Sequence, residues 1–248
     1  MNNAATPNKR IILLTGCINP NGMFFTKLQN PVLRREQYIE AIHFYLQKLQ
    51  LPILFVENSG TDISAEFNKE IETGRLEILT WNGNDYPKNL GKGFGEMLII
   101  EHALQNSYLM QKADFIFKIT GRYKILNIIN LLGAHNYKNT DVYADLYKAS
   151  PFSDSRFWGA KKSFFCNILV SYKNKINDSA GYIFEFALSE AVHNAVKLGY
   201  SYSALQYLPR YSGIYGTDNV PIKSFWALWY LKNIKHAFIK IYNNLNTF

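Results

Sequence analysis

Four short apolar runs, each closed by a polar turn and separated from the next by a longer segment, constrain this chain more than any other feature. The runs are residues 11–14 (IILL), 53–56 (ILFV), 76–80 (LEILT) and 113–119 (ADFIFKI). Runs of this length bounded by turn residues read as core strands, and strands alternating with helices read as a parallel sheet covered by helices. Between the first two, Pro31 and Arg34-Arg35-Glu36 open a helix. Its apolar residues Tyr38, Ala41, Ile42, Tyr45, Leu46 and Leu49 follow i, i+3, i+4, i+7 spacing. Asp62 is placed to cap a short helix reaching residue 71, and a third helix is expected over 95–110.

The second half is less regular. Strands are expected at 142–146 and 157–165, divided by a polar turn over 150–156. A helix over 182–198 stops at Gly199, a loop rich in Gly, Tyr and Pro covers 207–219, and a last helix runs over 221–245.

Charge narrows the partners. The chain carries 27 Lys and Arg against 19 Asp and Glu, a net charge of +8, which favours a phosphate-bearing small molecule, nucleic acid or an acidic membrane surface. Its Lys residues are dispersed and no nucleic-acid-binding motif is present. Cys17 and Cys166 are too few for a disulfide framework and suit a reducing cytoplasm, and the five His are scattered without metal-ligand spacing. The first apolar run is too short for a signal peptide, and none approaches the ~20 residues of a spanning helix. A soluble protein, or one held to a membrane from one side, is expected.

Ligands of open α/β sheets sit beyond the carboxyl ends of the strands. That rule places Thr15 and Gly16 at the site after the first strand, Glu57, Asn58 and Ser59 after the second, and Thr120, Gly121, Arg122 and Tyr123 after the fourth. The glycines around Lys92 (GKGFGE) let a backbone approach an anion closely, although the spacing of a P-loop is absent. The plainer alternatives are a turn glycine at 121, solvated charges at Lys92 and Arg122, and a surface carboxylate at Glu57.

Several segments share a pattern: Phe55-Val56-Glu57-Asn58-Ser59-Gly60-Thr61-Asp62, Gly91 to Glu96 running into His102-Ala103, and Phe117 to Tyr123. Phe184-Glu185-Phe186-Ala187-Leu188, with Glu190 and Leu198-Gly199-Tyr200, adds a later helix. Over residues 10–200 the chain thereby resembles GT-A-type glycosyltransferases, and is similar in flavour to bacterial enzymes that build capsule or lipopolysaccharide sugars. It departs from them where Thr120-Gly121-Arg122 replaces their metal-binding Asp-x-Asp.

The resemblance implies a GT-A-like, Rossmann-like fold with a mostly parallel central sheet flanked by helices. Its catalytic domain would span 1–220, with a nucleotide-binding half near 10–125 and an acceptor half near 140–220, followed by a basic amphipathic helix at 221–248. It implies sugar transfer, with inversion, from a nucleotide-sugar donor to a cell-surface glycan or lipid-linked acceptor. Thr15, Gly16, Glu57, Asn58 and Ser59 would hold base and ribose, a carboxylate such as Glu57 accepting from their O–H or N–H groups. Lys92, Gly93, Thr120, Gly121, Arg122 and Tyr123 would complete the donor site, with Arg122 and Lys92 stabilising the leaving diphosphate. Glu185 would be the general base, with Glu190 and Asp154 as rivals, and Asp154, Arg156, Tyr211 and Tyr215 would meet the acceptor.

No metal and no cofactor is expected, because a guanidinium can neutralise phosphate oxygens directly. Asp141 and Asp145 form an imperfect substitute carboxylate pair, with solvent exposure the simpler reading. On the last helix Tyr230, Leu231, Ile234, Ala237, Phe238, Ile241 and Leu245 share one face, and Lys232, Lys235, His236, Lys240 and Asn243 lie mainly opposite, with Trp226 and Trp229 ahead of them. Such a helix either lies on the inner face of the cytoplasmic membrane or packs on the domain. A nucleic-acid-binding basic protein and a non-catalytic sugar-binding protein on the same fold are the competing readings.

Overall fold

The computed structural model describes residues 9–134, 139–146, 151–216, 218–222 and 225–245. Its first half runs β1 (Arg10–Gly16), α1 (Pro31–Lys48), β2 (Ile53–Glu57), α2 (Asn68–Glu72), β3 (Leu76–Thr80), α3 (Gly91–Asn106), α4 (Tyr108–Lys112) and β4 (Phe115–Thr120). The second half continues with β5 (Lys124–Ile125), α5 (Ile128–Ala134), β6 (Val142–Tyr143), β7 (Phe157–Lys161), α6 (Lys162–Asn167), α7 (Phe184–Lys197), β8 (Tyr202–Ser203), β9 (Tyr211–Ser212) and α8 (Trp226–Leu245).

Seven strands form one sheet in the order β3-β2-β1-β4-β7-β6-β8. β3, β2, β1 and β4 are parallel neighbours, β7 is antiparallel to both β4 and β6, and β8 returns parallel to β6. The sheet is therefore mostly parallel and flanked by helices, the fold class expected from the sequence. Its central strands β1, β2 and β4 are buried on both faces, which is why they read as apolar runs, interrupted only by Lys118 in β4. Ile12, Leu14, Phe55 and Ile119 pack toward α1, while Leu13, Leu54 and Ile116 pack toward α3 and α7. Register sets Gly16 opposite Glu57 and Thr15 opposite Thr120, so three expected ligand-facing segments end side by side.

Several boundaries differ from the sequence reading. The strand expected over 157–165 stops at Lys161 and turns into α6. Successive strand residues face opposite sides of a sheet. Phe164 and Phe165 are both fully buried in the same core layer, against Trp158, which a helix permits. The helix expected over 95–110 begins earlier, at Gly91, and breaks at Ser107. There the Ser107 hydroxyl caps α4 by accepting from Met110 N, and Glu77 accepts from Ser107 Oγ and the N–H groups of Tyr108 and Leu109. The strand expected over 142–146 is β6, which ends at Tyr143. The expected 182–198 helix is α7, and Gly199 follows it at φ +89° as a left-handed terminator. Residues 1–8, and Ser150 of the expected turn, lie outside the described residues.

Gly16 is where the sheet meets the cavity described below. A Cβ there would stand 2.5 Å from Phe55 Cε2 and 3.3 Å from Tyr38 Cε1, both buried rings. Gly16→Ala is expected to lower stability by about 1–3 kcal/mol through overpacking, read as a lower urea midpoint at unchanged slope.

Candidate active site

A cavity of about 450 Å³ opens at the carboxyl ends of β1 and β4. The chain order reverses there, since β2 and β3 continue to one side of β1 while β4 lies on the other. In open α/β sheets this crevice is the usual ligand site. Of the residues singled out in the sequence, the cavity brings together Thr15, Gly16, Asn58, Lys92, Gly93, Thr120, Arg122, Tyr123, Arg156, Glu185 and Tyr215.

Arg122 is held by the turn that follows β4. Gly121 N donates to Thr15 O at 2.9 Å and Tyr123 N to Thr120 O at 3.0 Å. The Tyr45 hydroxyl, from α1, donates to Tyr123 O at 2.7 Å and accepts from Ile125 N at 3.0 Å. Only a glycine fits at 121, where a Cβ would stand 2.8 Å from Thr15 O, so Gly121 shapes the turn and does not line the cavity. The Arg122 guanidinium is 7 % exposed, and its Nη1 donates to Gln37 Oε1 at 3.1 Å and Ile214 O at 3.2 Å. Among the described residues it forms no ion pair, so its charge faces the cavity with neutral partners. A buried cation without a counter-ion is costly, and an anionic ligand offsets that cost.

Arg156 differs. Asp154 holds it in a fork, with Nε to Oδ1 at 2.9 Å and Nη2 to Oδ2 at 2.6 Å, and its guanidinium lies 4.2 Å over the buried Tyr211 ring. Asp154 and Tyr211 therefore sit behind Arg156 rather than in the cavity wall.

A second cluster joins the strand floor to α3 and α7. Lys118, fully buried on β4, ion-pairs with Glu96 of α3 and donates to Ser155 O at 2.7 Å and Thr120 Oγ1 at 3.2 Å. Thr15 Oγ1 donates to Glu96 Oε1 at 3.2 Å, and Ser155 Oγ donates to Glu185 Oε1 at 2.7 Å. Burial pushes the Glu185 carboxyl above its ordinary value, the nearby Glu96 charge adds to this, and the Ser155 hydrogen bond and Lys118 oppose it. A carboxyl raised in this way and lining a cavity is suited to proton transfer. Glu190, its rival, instead pairs with Lys175 at 3.0 Å. Cys17 also lines the cavity, but burial pushes its thiol up to about 12, which keeps it from acting as a nucleophile.

Other expected residues have different occupations. Glu57 is fully buried behind the wall, where Oε1 accepts from Ile18 N at 2.7 Å and the Ser59 hydroxyl, and Oε2 from Ser59 N and Thr61 N at 2.9 Å. It braces the loops after β1 and β2, and Ser59, whose Oγ also accepts from Asn19 N, belongs to that brace. Glu57→Ala would leave three backbone N–H groups unpaired and is expected to destabilise by on the order of 3 kcal/mol, seen as a fall in melting temperature. Gly93 N donates to Asp178 Oδ2 at 3.3 Å, and a Cβ at Gly91 would stand 2.2 Å from the same atom. The glycines at the start of α3 thus admit an anion, but it is the chain's own carboxylate. Asp141 pairs with Lys161 and Ser201, and Asp145 is buried rather than solvent-exposed, 4.0 Å from His236 of α8.

Sequence reasoning assigned no role to Glu96, Lys118, Ser155 or Asp178. Lys118 did carry a signal, a charged residue inside an otherwise apolar core strand, which almost always has a buried partner. Among the described residues no group of three or more His, Cys, Asp or Glu is arranged to hold a metal ion. Glu96, Asp178 and Glu185 are the carboxylates that line the cavity, and Glu96 is paired with Lys118.

No protein-family model matches the chain, and no curated protein matches it. Among solved structures it is similar to TarS 1-349 of S. aureus, at 12 % identity and a TM-score of 0.46 over 82 % of this chain and 59 % of that one. It is similar to the glycosyltransferase GlyE of Streptococcus pneumoniae at 11 % identity and a TM-score of 0.45, over 80 % and 45 % of the two chains. It is also similar to the inositol-1-phosphate CTP transferase of T. maritima at 11 % identity and a TM-score of 0.42, over 80 % and 84 %.

Proposed function

We propose that this chain is a glycosyltransferase that moves a sugar from a nucleotide-sugar donor to a glycan or lipid-linked acceptor, with inversion and without a metal ion. The observation that carries the reading is the nearly buried Arg122 side chain, which lines the strand-end cavity with only neutral partners among the described residues. A diphosphate is the anion such a fork fits, since two N–H groups can reach two phosphate oxygens. Lys92, on the same wall, adds a second positive charge. Together they hold the negative charge that grows on the leaving diphosphate, each contributing on the order of 3 kcal/mol to the transition state.

Asn58, Thr15 and Gly16 form the end of the cavity where base and ribose sit. Glu185 takes the proton of the acceptor hydroxyl as that oxygen attacks the sugar carbon and the diphosphate leaves. The Ser155 hydroxyl fixes the Glu185 carboxylate while Lys118 holds the Ser155 carbonyl, and Arg156 and Tyr215 border the acceptor side.

The test is a thermal-shift screen across nucleotide sugars, followed by measurement of nucleoside diphosphate release with each stabilising donor and excess EDTA. Stabilisation by a donor and EDTA-resistant release are expected. Loss of release in EDTA with recovery in Mn²⁺ would overturn the metal-free mechanism. Donor binding without any release, across acceptors, would point to a non-catalytic sugar-binding protein.

A further inference from the structure

We propose that α8 seats the protein on an anionic bilayer surface, its polar side turned toward the domain and its apolar side toward lipid. The helix is held to the domain by three residues at i, i+4, i+7 spacing, which fall on one face. Trp229 Nε1 donates to Leu208 O at 2.9 Å, Asn233 Oδ1 accepts from Leu208 N at 2.8 Å, and His236 Nε2 lies 2.9 Å from Leu205 O. Away from this face Tyr230, Leu231 and Ile234 are exposed, Leu231 by 61 %, and Trp226, at the edge of the anchoring face, is 67 % exposed. A helix packed on a globular domain ordinarily buries its apolar stripe and exposes its polar one. Here the arrangement is reversed. The side chains expected to extend the stripe, Phe238, Ile241 and Leu245, and Lys240 opposite, lie outside the described ones.

Charge selects the occupant. From Asn219 to Phe248 the sequence has four Lys and no Asp or Glu. Lys232 and Lys235 are exposed; helical spacing puts Lys235 next to Leu231 at the border of the stripe and Lys232 further toward the opposite side. A second copy of the chain docked face to face would bring these lysines against their counterparts, whereas anionic headgroups neutralise them. An amphipathic helix with Trp and Tyr in its apolar face and Lys at its border is the form that lies in a bilayer interface. No helix among the described residues is long and apolar enough to cross a membrane, so α8 would lie on the surface. The apolar surface continues beyond α8: Leu126 and Ile129 are exposed on either side of Asn127, whose Nδ2 donates to the same Leu208 O that anchors Trp229.

The experiment is flotation of the full chain with phosphatidylcholine vesicles containing about 30 % phosphatidylglycerol, and with pure phosphatidylcholine. Flotation with the anionic vesicles alone is expected. Trp226→Ser with Leu231→Ser should abolish it, and Lys232→Glu with Lys235→Glu should lower the partition coefficient by about tenfold or more. These side chains are exposed, so both variants should keep the parent's circular dichroism and melting temperature. As a second measurement, brominated lipid should quench the parent's tryptophan emission more than that of Trp226→Phe, which keeps the apolar side. Absence of flotation, equal flotation of the double-serine variant, or a dimer that this variant dissolves without any lipid quenching would each overturn the proposal. The donor-induced thermal shift at the cavity is read separately, so the membrane and transferase readings fail independently.

Discussion

Replacing Arg122 by methionine is expected to abolish the donor-induced thermal shift and to reduce kcat/KM for the donor by about 10²–10³-fold, the usual effect of removing one transition-state charge partner. The side chain is nearly buried, lines the cavity, donates to Gln37 and the Ile214 carbonyl, and lies over the Tyr123 ring. Removing it therefore breaks no ion pair among the described residues. For a structural arginine the same change would unfold the protein at a lower temperature. Here the free protein should melt at the parent's temperature or above, because a desolvated charge has been replaced by an apolar group of similar length. Arg122→Lys separates charge from shape: it restores the charge without the planar fork, and an activity between parent and Arg122→Met is expected. Full donor affinity in Arg122→Met would remove the diphosphate assignment.

Glu185→Gln is the second large effect. Loss of a general base usually lowers the chemical step by about 10²–10⁴-fold, and glutamine can still accept the Ser155 hydroxyl, so donor binding should persist. The pH profile of kcat/KM carries the distinguishing signature. Burial raises the Glu185 carboxyl above its ordinary value, and a base must be ionised, so activity should rise with pH through a value above the usual carboxylate range and then level off. The variant should lose that limb.

Stability moves the other way. A carboxyl whose folded value is raised contributes stability that is complete below its unfolded value and is lost as pH rises through the folded one. Glu185→Gln, neutral throughout, should therefore melt at or above the parent's temperature at pH 8, and the difference should close at pH 4. A variant that melts lower at pH 8 would show that the ionised carboxylate holds the fold together, and would weaken its assignment as a base held ready at a cost in stability.

How much of this was legible beforehand depends on the range of the interaction. β1, β2 and β4 could be read because burial on both faces leaves apolar runs, broken only by Lys118 in β4. The cavity's position followed from their order, and so did the placement of Thr15, Asn58 and Arg122 at its edge. The end of β7 was misread because an apolar run looks the same whether Phe164 and Phe165 face opposite layers or one. Glu57 and Gly93 were at the right strand and helix ends, but they face their own loop and their own aspartate.

The order of β1, α1, β2, β3, α3 and β4, and the presence of α7 and α8, were set by the sequence alone, because periodicity, turns and caps act over a few neighbouring residues. The tertiary structure decided what each polar group touches. Lys118 meets Glu96 and Ser155 only because β4, α3 and the turn before β7 converge, and Arg122 lacks a carboxylate among the described residues only because none converges there. Partners of this kind come from distant parts of the chain, so their pairing is a property of the folded arrangement. The same holds for α8, whose amphipathic pattern was visible along the chain. Only its hydrogen bonds to Leu205 and Leu208 determine which side faces outward.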